Sequence, residues 1–248
     1  WKRVVSRGVT WLRLMTHPDK KIAFFNDAAF GIAPSLEHIV YYCRMLDIPV
    51  DKIPRGINTG NGWVLSYLEQ SGYISVSDED NGHRGIIDVA KVELSLFGHR
   101  VFVNSGTSQY GVSPERDQQR GTVSHNTMMI DGRNSSDVWA GFRVARRANP
   151  FDINIRNHGR DITVSACHDG YKTFSHDVIV KRTWSFSEGC LVINDCVSGN
   201  TSSAVCLFYC HPDIDVVKVA HGVQLSLPEG SRVLLQTRFE DSISLSDS

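Results

Sequence analysis

The chain has 248 residues, 41% of them hydrophobic and 21% charged. That is enough apolar material for one large domain, or a domain plus part of another, and too much for disorder. A net charge of −1 and a pI near 6.9 exclude a protein held to nucleic acid or a membrane surface by bulk electrostatics. No apolar run approaches the roughly 18–20 residues of a spanning helix, so neither nucleic-acid binding nor membrane insertion is expected.

Residues 1–50 read as helical. In "WKRVVSRGVTWLRLM", Trp1, Val4, Val5, Trp11, Leu12 and Met15 keep helical spacing, and Pro18 ends the run. A second helix is expected through "SLEHIVYYCRML", with Leu36, Ile39, Val40, Cys43 and Leu46 on one stripe and Pro49 beyond it. Residues 47–62, rich in Pro, Gly and Asn, read as a loop. From about residue 60 the period changes from 3.6 to 2. Short alternating runs follow, among them "GYISVSD", "HRVFVNSG", "GTVSHNTMMID", "FDINIRN", "DITVSACHDG", "HDVIVKRTWSFS", "CLVINDCVSG", "AVCLFYCHPDIDVVKV", "GVQLSLPEG" and "SRVLLQTRF". No helix separates them, which predicts a large antiparallel β-sandwich and not a parallel α/β fold. The expected organisation is thus a helical segment over 1–50 and an all-β domain over 51–248. The first helix already runs at Trp1 and the last strand pattern breaks off at "SISLSDS", as expected for a piece of a longer protein.

The six cysteines form no C-x-x-C pair. Cys206 and Cys210 in "CLFYC" would lie about 13 Å apart on one strand, too far for a disulfide, so free thiols are expected. Nucleophile elbow, Walker loop, H-E-x-x-H and dinucleotide fingerprint are all missing. What stands out is "RGTVSHNTMMIDG", where His125 and Asn126 sit inside a strand-like pattern. Alternation puts Val123, His125, Thr127 and Met129 on one face, and neither face is cleanly apolar. A satisfied core histidine and a site histidine are both compatible with that pattern. Upstream, "FVNSGTSQYGVSPERDQQRGT" reads as a long polar loop holding Asn104, Tyr110, Arg116 and Arg120. A phenol there can shuttle a proton, and a guanidinium can grip a carboxylate or sulfate in bidentate fashion. "DVWAGFRVARRA" adds Trp139, Arg143, Arg146 and Arg147, a composition that suits sugar acids and equally a solvated surface.

"VELSLFGHRVFVNSGTSQYG", "ERDQQRGTVSHNTMMIDGRNSSDVWAGFRVARRA" and "RTWSFSEGCLVINDCVSG" resemble the C-terminal part of heparinase II/III-like polysaccharide lyases. "HPDKKIAFFNDAAFGIAP" is similar to the linker that leaves their helical toroid. The resemblance implies an incomplete α/α toroid, here represented by its last helices, followed by a β-sandwich (a super-sandwich). It also implies β-elimination on a uronic-acid polysaccharide of glycosaminoglycan or alginate type. Bacterial origin and a periplasmic or secreted location are family expectations. The oligomeric state is not implied.

Carried over by position, the resemblance implies His125 and Tyr110 as catalytic residues and Arg116, Arg120, Asn126 and Arg143 as contacts to an acidic polysaccharide. It further implies one divalent metal such as zinc, held by His125 and the residue at position 104. Two departures qualify this. Asn104 stands where metal-binding relatives carry an aspartate, and an amide is a poorer ligand than a carboxylate. A Gly-His-x-His-x-Asp segment that relatives carry before the "ELSLFG" strand is missing between Val92 and Glu93. The undisturbed flanks make an intervening loop the expectation there. Without the toroid's tyrosine, these residues alone are expected to be inactive. The rival expectation is a non-catalytic domain that binds or assembles acidic polysaccharide; a sandwich that merely buttresses a toroid is the blander third.

Overall fold

The computed structural model describes residues 1–25, 27–50, 57–58, 64–68, 73–78, 83–88, 91–157, 161–172, 174, 177–187, 189–237 and 243–246. Two compact units are formed, 1–209 and 210–248. The first unit opens with α1 (Lys2–Leu14) and α2 (Leu36–Met45). Ser35 caps α2 by accepting a hydrogen bond from the His38 amide. The two helices pack through Val9, Cys43 and Ile48, with Val5, Leu36, Ile39 and Val40 around them. The α2 stripe falls as its spacing predicts except for exposed Leu46, whereas of the α1 stripe only Val5 takes part and Trp1, Val4 and Trp11 are exposed.

Six strands follow as a meander: β1 (Ile57–Asn58), β2 (Val64–Leu68), β3 (Tyr73–Asp78), β4 (His83–Asp88), β5 (Lys91–Leu96) and β6 (His99–Phe102), hydrogen-bonded in chain order. The expected 47–62 loop lies mostly outside the described residues, and Ile57–Asn58 within it pair with Val64–Leu65. After β6 the polar stretch is partly helical, as α3 (Pro114–Arg120). A single 3₁₀ turn, Thr122–Ser124, then leads to β7 (Met128–Ile130). The long strand expected across "GTVSHNTMMID" is therefore only three residues. His125 follows the turn in extended conformation, outside any ladder, so the alternation of faces drawn across the stretch does not hold.

β8 (Asp137–Trp139) and β9 (Arg143–Ala145) make a hairpin. β10 (Pro150–Asn157), β11 (Ile162–His168), β12 (Ile179–Ser187) and β13 (Cys190–Ser198) form an antiparallel sheet in chain order. β14 (Ala204–Cys206) returns to pair with β7. Ile87 and Val92 of the first sheet pack against Ile162, Val164, Ala166, Trp184 and Phe186 of the second, giving a face-to-face sandwich. In the second unit, β15 (Asp215–Val219), β16 (Gly222–Ser226) and β17 (Arg232–Leu235) form a meander over buried Val223 and Leu225.

The fold is mainly β with antiparallel sheets, as the period-2 pattern predicts. β5 runs unbroken through Val92 and Glu93, Val92 opposite Ile87 and Glu93 opposite Ile86. All six thiols are free, but only Cys43 and Cys167 are buried. "CLFYC" is not one strand, since β14 ends at Cys206.

Candidate functional site

Glu93 sits in the middle of β5 with both neighbours apolar, and it is fully buried. A buried carboxylate is costly unless hydrogen-bonded and paired, and the fold surrounds this one with donors. Oε1 accepts from the Phe24 amide at 2.6 Å and from Asn104 Nδ2 at 2.9 Å. On the other oxygen, Oε2, lie Arg100 Nη1 at 3.3 Å and His17 Nε2 at 3.1 Å. Arg100 also grips Asp19 through Nε at 2.8 Å, and its Nη2 donates to the carbonyls of Lys21 and Ile22. His17 Nδ1 meets the Ser95 hydroxyl at 2.8 Å. Burial lowers the His17 pKa, with the Glu93 hydrogen bond opposing part of that shift. The segment after α1 is thereby stitched to β5 and β6, closed by an antiparallel bridge between Thr16 and Ile22.

His125 is reached from this network through Asn104, whose Oδ1 lies 3.1 Å from His125 Nδ1. The ring is half-buried. Burial first, and the nearby Lys91 ammonium second, hold its pKa well below the ordinary histidine range. The imidazole is therefore neutral at neutral pH. Its Nε2 has no hydrogen-bond partner among the described residues. Chemically, this is a neutral imidazole anchored at one nitrogen, with no hydrogen-bond partner at the other among the described residues.

Asn126 does different work from that expected of it. It is fully buried, its Nδ2 donating to the carbonyls of Val92 and Val103, while its Oδ1 accepts from the Tyr209 amide at 2.6 Å. Arg182, paired with Asp195, donates to the Asn126 carbonyl at 2.8 Å. Asn126 is thus a staple beside His125 with no group left for a substrate.

Arg116 is likewise reassigned. Its side chain is 1% exposed, with Nε on the Gly141 carbonyl at 3.1 Å, Nη1 on Thr107 Oγ1 at 3.0 Å and Nη2 on Asp27. Five donors in a planar fork make arginine suited to such a clamp. It leaves no edge free for a sugar carboxylate. Arg120, at the end of α3, donates to the carbonyls of Trp139 and Arg143. Between them the two arginines hold the β8–β9 turn, in which Ala140 and Gly141 both have positive φ. For Ala140 that conformation costs on the order of 1 kcal/mol, so the clamps hold a turn that its own sequence disfavours.

The held turn presents Trp139 at 42% and Phe142 at 61% exposure, with Arg143 exposed beside them. Tyr110, 40% exposed, lies with its ring nearly parallel to Phe142, centroids 6.3 Å apart. Its hydroxyl donates to the Asp27 carbonyl at 3.0 Å. Phe24 in the first cluster and Asp27 in the second are three positions apart, at most about 11 Å between Cα atoms.

The structure thus joins His125 to Asn104, and Tyr110 to Arg116 and Arg120 around the turn. Among the described residues no hydrogen bond links His125 to Tyr110, Arg116, Arg120 or Arg143. Sequence reasoning missed Glu93, His17, Asp19 and Arg100. The available signal was one acidic residue inside the apolar run "KVELSL".

A divalent metal does not fit the groups assembled here. No three His, Cys, Asp or Glu side chains converge among the described residues. Asn104 is a neutral amide whose oxygen is already engaged by His125, and Glu93 is enclosed by four donors.

A family model described as Heparinase II/III-like, C-terminal matches residues 76–248. No curated protein matches the chain, and no solved structure does.

Proposed function

The chain belongs to the heparinase II/III-like family, represented by its C-terminal region, and from that membership we propose that it forms the sandwich wall of a polysaccharide lyase acting on a uronic-acid polymer by β-elimination. His125 is the proposed base. Its Nε2 takes the proton from C5 of the uronate, the electron pair of that C–H bond becomes the C4=C5 double bond, and the C4–O bond breaks. The leaving oxygen collects a proton, for which Tyr110 is the proposed donor once its exposed hydroxyl turns from the Asp27 carbonyl, to which it donates in the free protein. The observation that carries this reading is the state of His125: neutral at neutral pH through burial, anchored at Nδ1 and without a hydrogen-bond partner at Nε2 among the described residues. A protonated imidazole could not accept the proton, nor could one whose Nε2 lone pair already accepts a hydrogen bond. Positioned general bases contribute about 10²–10⁴-fold to such steps.

The substrate contacts proposed here differ from those the resemblance implies. Arg143 and the aromatic groups of Tyr110, Trp139 and Phe142 face solvent and suit the carboxylate and ring faces of uronate residues. Arg116 and Arg120 act one step back, as clamps on the turn. The reading is tested by incubating the full-length protein with uronic-acid polysaccharides and following the ultraviolet absorbance of the new double bond. Products shortened without unsaturated ends would replace elimination by hydrolysis.

A second reading, binding of acidic glycan without cleavage, draws on the same exposed aromatic turn. Retention of acidic polysaccharide with no new double bond would favour it.

A further inference from the structure

We infer that Glu93, acting through the Asn104 side chain, fixes His125 as the tautomer with its proton on Nδ1 and so leaves Nε2 as a lone-pair acceptor. The logic follows from what each group can donate. A carboxylate carries no hydrogen, so the Asn104 atom facing Glu93 Oε1 at 2.9 Å is the amide nitrogen. The amide oxygen must then point the other way, toward His125 Nδ1 at 3.1 Å. A carbonyl oxygen only accepts, so Nδ1 carries the proton, and in a neutral imidazole Nε2 carries none.

Nothing near the amide offers it an easy reversal. Asn104 is 3% exposed, and turning it over would set its oxygen against Glu93 and its NH₂ against His125. Glu93 itself is held by the Phe24 amide on the same oxygen and by Arg100 and His17 on the other. The segment carrying His17 to Phe24 thereby reaches the imidazole without touching it. Asn126 adds the second constraint, fixing the backbone at the next position. Glu93 and Asn104 are positioning residues. The catalytic meaning of the tautomer rests on the reading of His125 given above, whereas the tautomer itself does not.

The test is long-range ¹⁵N–¹H correlation NMR of the histidine rings in the full-length protein, with the His125 signals assigned by their loss in His125→Gln. The wild-type ring is expected as Nδ1–H at neutral pH; Nε2–H would overturn the inference. In Asn104→Leu, which removes the acceptor at similar size, the Nδ1–H preference is lost, and its persistence would also overturn the inference. Glu93→Gln is the conservative rescue. The Phe24 amide keeps an amide oxygen facing Asn104, so the Nδ1–H form is retained, and its loss counts against the relay. Should Asn104→Leu fail to fold, the wild-type assignment and Glu93→Gln still decide. Where elimination is measurable, Asn104→Leu lowers kcat by about 10²–10⁴-fold with KM little changed. An Nδ1–H ring in a protein that makes no unsaturated ends would sink the lyase reading and leave the relay standing.

Discussion

Replacing Arg116 by methionine separates a clamp from a substrate contact. Methionine keeps most of the buried stem and removes all three donor interactions, those to the Gly141 carbonyl, Thr107 and Asp27. The buried Gly141 carbonyl loses a charged donor, which costs about 1–3 kcal/mol. The Thr107 hydroxyl adds about 1 kcal/mol. Asp27 contributes no more than about 1 kcal/mol, because its side chain is 48% exposed and rehydrates. The expected loss is about 2–5 kcal/mol, a fall in Tm on the order of 10 °C for a chain of this size. Arg120→Met, whose guanidinium bonds two carbonyls from a more exposed position, should cost under about 1 kcal/mol. Urea unfolding followed by tryptophan fluorescence reads both. If Arg116→Met unfolds like wild type while losing affinity for acidic glycan, the clamp argument is refuted and Arg116 is a substrate contact.

Stability should also report a buried histidine. Burial lowers the His168 pKa to about 4, and its Nδ1 accepts from the Gly170 amide. The folded pKa lies below the unfolded one near 6.5, so its contribution is complete above pH 6.5 and is lost as pH falls toward 4. The loss is about 3 kcal/mol. His168→Gln should flatten that part of the urea-midpoint profile, and an unchanged slope would assign the acid sensitivity elsewhere. Gly170→Ala should destabilise by about 1–3 kcal/mol, since a Cβ there would lie 2.5 Å from the Ser135 carbonyl oxygen. Gly8→Ala, with open space around it, serves as the control, and equal midpoints would contradict the packing argument. Because the donor set around His125 and Asn104 does not suit a divalent ion, dialysis against a chelator should leave elimination unchanged. Activity lost on chelation and restored by zinc would reverse that conclusion.

The sheets were legible because period-2 alternation and Gly-containing turns survive in sequence as direct signals; β10 to β13 fall where the pattern places them. The stretch around His125 was not. Thr122–Ser124 turn as 3₁₀ because Asn134, Ser135 and Gln118 satisfy the backbone and hydroxyl groups of the stretch, partners that no local pattern displays. α3 was hidden in what read as loop, although Ser113 as N-cap, Pro114 in the first turn and Glu115 and Asp117 beside them are a helix start. Arg116 was singled out for its donor capacity, and Asn126 by its position in the resemblance. Whether such groups face a ligand or the protein depends on contacts 25 and 34 positions away. Glu93 carried the clearest unread signal, a charge that an apolar strand can hold only inside a network.

The central claim is that His125 Nε2 removes the C5 proton of a uronate. It is tested most directly by comparing full-length wild-type protein with His125→Ala on an acidic polysaccharide, measuring unsaturated ends formed per unit time. The account predicts unsaturated ends from the wild type and a loss of about 10²–10⁴-fold in kcat for the variant, with folding intact by circular dichroism. A folded His125→Ala protein that forms them at the wild-type rate would contradict it.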